Sequence, residues 1–276
     1  MEYLKISIFF VFPHVFTGFY LHILVLNILM DNIIQWFKSF FLSEPIKIAL
    51  LISITYSTDI YINNVKSYLI NKKNFSPENI YILNNINSTK ENIIYHFAKL
   101  LSKANKSRES FIFIQYIGTS LDINGQIVLS TSFVGNENSD LMISREDLFD
   151  NFICKMNSSC SVFVMIDCFS YFVSELKYIY SLDERNIFRI NNKGKDINAQ
   201  CLMINGLPRI NENKKNIGLI SKAFLNTVGK DSNFNIKMFV LDMKDWLKKN
   251  SYSHILMLTS SSYVDVETKM DLIIKT

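Results

Sequence analysis

SVFVMIDCFSYF, residues 161–172, is the stretch on which the reading of the whole chain turns. Five of its first six residues are apolar, two of them valine and one isoleucine, and the run closes on Asp167, Cys168, Phe169 and Ser170. A short unbroken apolar run of this kind predicts a strand buried on both faces, the mark of a parallel sheet covered by helices. In such sheets the loops at the carboxyl ends of the strands surround a crevice that the helices leave open, and chemistry collects there. Asp167 and its neighbours fall at that edge.

The flanking segments repeat the pattern. IKIALLISI at 46–54 predicts a second buried strand, followed by a loop through Tyr56, Ser57, Thr58 and Asp59 and a helix with apolar residues at Ile62, Val65, Leu69 and Ile70. SPEN at 76–79 is a turn and IYIL at 80–83 a strand. Ser88 is read as the cap of a helix from Thr89 to Lys103, with Glu91 completing a capping box. FIFIQY at 111–116 is the third strand, ending at Ile117, Gly118, Thr119 and Ser120. A DINGQ turn precedes a short strand, IVLS, and Ser144 caps a helix predicted from Arg145 to Met156. Beyond the central strand the sequence predicts a charged helix and loop over 173–199 and a strand, CLMI, at 201–204. Helices over Ile217–Val228 and Lys237–Lys249 follow, and then a last strand, ILML, at 255–258. Alternation of strand and helix implies right-handed crossovers. The expected fold class is α/β, a three-layer α/β/α sandwich whose mostly parallel sheet carries helices on both faces.

Composition narrows the function. With 49% apolar residues in 276, the chain has ample core, and a net charge of +4 with no basic run interleaved with aromatics implies no nucleic acid partner. The four cysteines, Cys154, Cys160, Cys168 and Cys201, have no CxxC spacing and no neighbouring histidine, so zinc is not implied and reduced thiols are expected. No GxGxxG, GxxxxGK[ST] or GxSxG sequence accompanies either strand end, which removes dinucleotide, P-loop and common hydrolase readings.

Residues 6–30 carry no Asp, Glu, Lys or Arg and are long enough to cross a bilayer. Pro13, Gly18 and an even flanking charge balance weigh against a simple span, so three readings stay open: a membrane anchor, an apolar helix docked on the domain or a partner, and a misread gene start. Residues 31–43 have the apolar spacing of an amphipathic helix. Ser43, Glu44 and Pro45 punctuate the chain, giving an apolar N-terminal segment, 1–43, and a folded domain, 44–276.

Across that domain the chain resembles the metacaspases, caspase-like cysteine peptidases. KIALLISITY from Lys47 is similar to the family's first strand, KALLIGINY. Tyr116, Ile117, Gly118, Thr119 and Ser120 stand where the family has Y-S-G-H-G, and Asp167 to Phe172 where it has D-x-C-H-S-G. GLISKAFLNTV from Gly218 and LTSSSYVDVET from Leu258 resemble the family's G-x-x-T-x-A-F-L helix and its closing strand. The resemblance implies a caspase-like sandwich. It places the catalytic imidazole at Thr119 and the nucleophile at Phe169, neither of which can carry out thiol chemistry, so no catalytic pair is intact. Cys168, one place earlier, would face the opposite side of the strand extension. The family's pocket for basic side chains maps to Asp167, Tyr61, Asn64 and Ile117, with one carboxylate of two retained. Its I-x-D-D-E-L calcium sequence maps to Ile143–Leu148, where Arg145 opposes a cation; Asp122, Glu146 and Asp140 are what remains, and no cofactor is expected.

The leading expectation is a catalytically inactive pseudopeptidase of the metacaspase type that acts by binding a peptide or protein. A working cysteine endopeptidase using Cys168 with His96 or His254, and a small-molecule-binding α/β domain, are the alternatives. The expected location is cytoplasmic, or membrane-associated through residues 6–30 with the domain in the cytosol.

Overall fold

Eight-residue apolar strands require cover on both faces, and the computed structural model of the chain supplies it. It describes residues 45–55, 58–132, 141–168, 176–182, 188–192, 194, 196–207, 218–229, 235–252 and 255–265. These all lie in one compact unit, Pro45–Thr276; the other unit, Met1–Glu44, lies outside the described residues, and with it the membrane-anchor and amphipathic-helix expectations.

The strands are β1 (Ile46–Ser53), β2 (Ile80–Asn84), β3 (Ser110–Ile117), β4 (Ser120–Ile123), β5 (Gln126–Leu129), β6 (Cys160–Asp167), β7 (Tyr178–Leu182), β8 (Phe188–Asn192), β9 (Gln200–Leu207) and β10 (Ile255–Ser260). The helices are α1 (Asp59–Lys73), α2 (Lys90–Lys106), α3 (Arg145–Leu148), α4 (Leu219–Val228) and α5 (Ile236–Lys249). Eight strands form one sheet in the order β2-β1-β3-β6-β9-β10-β7-β8, and β4 and β5 pair separately as a hairpin. Pairing is parallel from β2 through β9 and antiparallel from β9 through β8. The fold is a three-layer α/β/α sandwich.

Every residue of β3 and β6 is buried, and their side chains divide between two cores. Phe111, Phe113, Phe163 and Met165 point to the face covered by α1, α4 and α5, where Phe224 lies against Phe113 and Phe163 with ring centroids 6.0 Å from each. Ile112, Ile114, Val162 and Val164 point to the face covered by α2 and the α3 region, where Phe97 stacks on Phe152 at 4.5 Å. This period-two division is what puts Asp167 on one face and Cys168 on the other.

Four local expectations are corrected. Ser88 does not cap α2: its hydroxyl donates to the Ser53 carbonyl at 2.8 Å, and Thr89 is the cap, accepting from the Asn92 amide at 3.2 Å. The helix expected to reach Met156 ends at Leu148. The chain beyond it stays coiled but widens, with the Asn151 amide donating to the Glu146 carbonyl and the Cys154 amide to the Phe149 carbonyl, so Phe149, Phe152 and Ile153 still face the core. Within the 173–199 stretch, expected as a charged helix and loop, β7 and β8 form an antiparallel pair whose Tyr-Ile-Tyr and Phe-Arg-Ile composition suits strands. β4, not expected from the sequence, pairs with β5 across a tight turn in which Asn124 and Gly125 both have positive φ.

Candidate functional site

β3 and β6 pair in register up to Ile117 opposite Asp167, and the Gly118 amide continues the ladder by donating to the Asp167 carbonyl at 3.0 Å. The two strand ends singled out from sequence are therefore neighbours. A Cβ on Gly118 would meet Ile54 and the Tyr116 hydroxyl at 2.6 Å, so only glycine passes this point.

Immediately beyond, Thr119 is half-buried in a web of hydroxyls. Its Oγ1 lies 2.6 Å from Ser130 Oγ, and its carbonyl accepts from the Tyr116 phenol at 2.7 Å and from Ser130 Oγ at 2.8 Å. Burial pushes the Tyr116 phenol well above its ordinary range, so it remains a donor. Cys168 is buried on the α2 side, where Ser120 Oγ donates to its sulfur at 3.4 Å. Phe169 lies outside the described residues, as does His254. His96, the one histidine among the described residues, belongs to a different place: its Nδ1 is 2.8 Å from the Asn92 carbonyl, and its ring sits against Tyr81 of β2 and Tyr95 of α2.

On the opposite face Asp167 is 4% exposed and is held by the start of α4. Its Oδ2 accepts from the Ser221 amide and from the Ser221 hydroxyl, both at 2.7 Å. The cap residue of α4 is Gly218, at φ +92°, which has no side chain to offer the helix's open amides. A carboxylate from a strand 54 residues earlier does that work instead. Burial pushes the Asp167 carboxyl up to about 6, opposed by the hydrogen bonds from Ser221 and the nearby amides of Ile220 and Gly218. The chain of donors extends one step further, because Gln115 Nε2 donates to Ser221 Oγ at 2.8 Å. Gln115 Oε1 is buried with no partner among the described residues.

The remaining residues expected to line a binding pocket are partly assembled. Ile117 is wholly buried in the core beneath α1 and α4. Tyr61 is half-buried on α1, and its ring would stand 2.5 Å from a Cβ on Gly218. Asn64, one turn further along α1, is exposed. Asp167, Ile117 and Tyr61 thus converge at the start of α4, while Asn64 stays on the surface. Sequence reasoning did not single out Gln115 or Ser221, although a glutamine inside the apolar run FIFIQYI was a legible signal of a buried hydrogen bond.

The calcium-sequence residues have other partners. Asp122 Oδ1 accepts from the Gly125 amide at 2.9 Å, and Asp147 closes the α3 capping box on Ser144 while pairing with Lys90 at 3.0 Å. Glu146 is exposed and Asp140 lies outside the described residues. Among the described residues no three His, Cys, Asp or Glu side chains are grouped to hold a metal ion. Nor is any helix among them long and apolar enough to cross a membrane.

What fold and site define is an α/β/α sandwich with a capped acidic strand end. No protein-family model and no curated protein matches the chain. Among solved structures it is similar to protein GSU0716 from Geobacter sulfurreducens, at 12% identity and a TM-score of 0.52, covering 82% of this chain and 98% of that one. At that identity the likeness is one of fold.

Proposed function

We propose that the chain is a metacaspase-like, caspase-fold pseudopeptidase that binds a peptide or protein without cleaving it. The observation that carries this reading is at the ends of β3 and β6. At the position that the resemblance gives to the imidazole stands Thr119, whose hydroxyl is bonded to Ser130, and Cys168 is buried on the α2 side of the sheet. Acyl transfer by a cysteine needs a base within about 3 Å to take its proton. A threonine hydroxyl does not supply one.

Asp167 adds to this. A carboxylate that already accepts two hydrogen bonds from Ser221 has much of its capacity used in holding α4, which favours a partner that does not depend on a basic side chain at this position. Retention of calcium is not needed by this reading. The apolar void bordered by Ile93, Phe97, Ile114, Tyr116 and Val164 has a volume of about 10 Å³, which is too small for a small-molecule ligand.

The test is turnover of peptides containing Arg or Lys by the full chain, with and without calcium, alongside labelling by a peptide-guided thiol electrophile. The expected outcome is no cleavage and no modification of Cys168. Cleavage that disappears in Cys168→Ala would refute the proposal.

A further inference from the structure

The apolar run of β3 carries one amide side chain, Gln115, between Phe113 and Ile117 on the face covered by α1, α4 and α5. It belongs to a line of three buried groups. Gln115 Nε2 donates to Ser221 Oγ at 2.8 Å, and Ser221 Oγ donates to Asp167 Oδ2 at 2.7 Å. The Ser221 amide reaches the same carboxylate oxygen at 2.7 Å. Gln115 and Ser221 are 0% exposed and Asp167 is 4% exposed, so no member of the line is open to bulk water. Gln115 Oε1 is buried and has no partner among the described residues. An unpaired buried carbonyl oxygen is rare and calls for a reason.

The carboxylate sets the direction of the line. An ionised Asp167 only accepts, so the Ser221 hydroxyl turns its proton to Asp167 and its lone pairs to Gln115, which must present its NH2 group. A proton on Asp167 Oδ2 breaks this order. The acid O–H and the Gln115 N–H would then converge on Ser221 Oγ, and the hydroxyl proton of Ser221 would have no acceptor. A half-turn of the Gln115 amide resolves the conflict, because Oε1 replaces Nε2 beside Ser221 Oγ and accepts that proton. Each order keeps three hydrogen bonds through Ser221, and each leaves one amide atom of Gln115 unpaired, Oε1 in the first and Nε2 in the second. Neither protonation state therefore loses a bond. Burial makes the protonated state reachable, since it pushes the Asp167 carboxyl up to about 6, opposed by hydrogen bonds from Ser221, Ile220 and Gly218.

The surrounding elements bring little charge to this place. On α1, Tyr61 is half-buried, Asp59 Oδ2 accepts from Asn85, and Lys73 lies at the far end of the helix beside Lys47. Lys222 of α4 is exposed, every buried residue of α5 is apolar, β9 presents Leu202 and Ile204, and Cys168 is on the opposite face. We propose that Asp167, Ser221 and Gln115 form a proton-driven switch, in which the Gln115 amide turns over as the carboxyl gains or loses its proton. The Ser221 amide stays bonded to Asp167 in both states, so the end of β6 changes charge without releasing the start of α4.

Magnetic resonance of the full chain, labelled with 15N at glutamine side chains and 13C at aspartate carboxyls, tests this across the Asp167 titration. The Gln115 NH2 signal is assigned by its loss in Gln115→Met. It is expected to shift with the same midpoint as the Asp167 carboxyl carbon, and its Overhauser contact with the Ser221 β protons is expected at about pH 8 and lost at about pH 4. Asp167→Asn, whose amide donates to Ser221 as a protonated carboxyl does, should hold the low-pH pattern at every pH. In Ser221→Ala, which lacks the middle group, the Gln115 signal should lose its pH dependence. A Gln115 amide that keeps its contact with Ser221 while Asp167 titrates overturns the proposal in the wild-type chain alone. An Asp167 carboxyl that stays ionised down to about pH 4, or a pH-dependent Gln115 signal in Ser221→Ala, overturns it equally.

Discussion

Asp167 is a residue whose titration the fold moves within the range where proteins are handled. Its carboxyl is pushed up to about 6 by burial, from an ordinary value of 3.8. Between those two values the folded chain holds a proton that the unfolded chain has released. The stability tied to this group is therefore complete below about pH 4 and declines as pH rises through 6, by about 3 kcal/mol. Unfolding free energies measured from pH 4 to 7 should fall by that amount relative to an Asp167→Asn variant, which cannot titrate. Gly218 gives a second test at this scale. An alanine there would combine a positive φ with a Cβ 2.5 Å from the Tyr61 ring, so Gly218→Ala should cost about 1–3 kcal/mol. Adding Tyr61→Ala should return the steric part and leave the backbone part, which a double-mutant cycle in urea would separate.

At the scale of elements, the correction at α2 has a direct consequence. Thr89→Ala should cost about 1 kcal/mol by urea denaturation, since Thr89 caps the helix; it would be close to neutral if the cap were Ser88. Both residues are good caps, and the sequence offers no means of choosing between them. The choice is made by the Ser53 carbonyl, which takes the Ser88 hydroxyl. The end of α3 was hidden for a related reason. Phe149, Phe152 and Ile153 keep helical spacing, and the widened turns preserve the inward face, so the pattern is the same whether or not the helix is regular. The β7–β8 pair was misread because its charged connection resembles a solvated helix. Tyr180, 1% exposed with its phenol accepting from the Val264 amide at 2.8 Å, shows that burial against the closing segment decides it.

Across the whole molecule, the two cores share β3 and β6 as their common wall. Phe163 stacks on Phe113 at 5.4 Å and also meets Phe224, so Phe163→Ala should cost about 3–5 kcal/mol in chemical denaturation. Amide exchange should be slowest in β3 and β6, which are paired on both sides and buried throughout, and faster in β8, which has one neighbour. A chain in which β8 outlasted β6 would not be organised around this centre.

The layers of the sandwich and the buried strands were legible in the chain itself, because a strand covered on both faces must be apolar along its length and a covering helix must be apolar along one stripe. Period and polarity are local properties, and they carried β1, β2, β3, β5, β6, β9 and β10, though not β4, β7 or β8. The adjacency of Gly118 and Asp167 was legible too, since parallel neighbours end at one edge. What required the tertiary structure was the use of polar side chains: that Thr89 caps while Ser88 anchors, and that Asp167 serves a helix that begins more than fifty residues later. Hydrogen bonds and charges act between groups that folding brings together from unrelated positions, and sequence spacing holds no record of those distances.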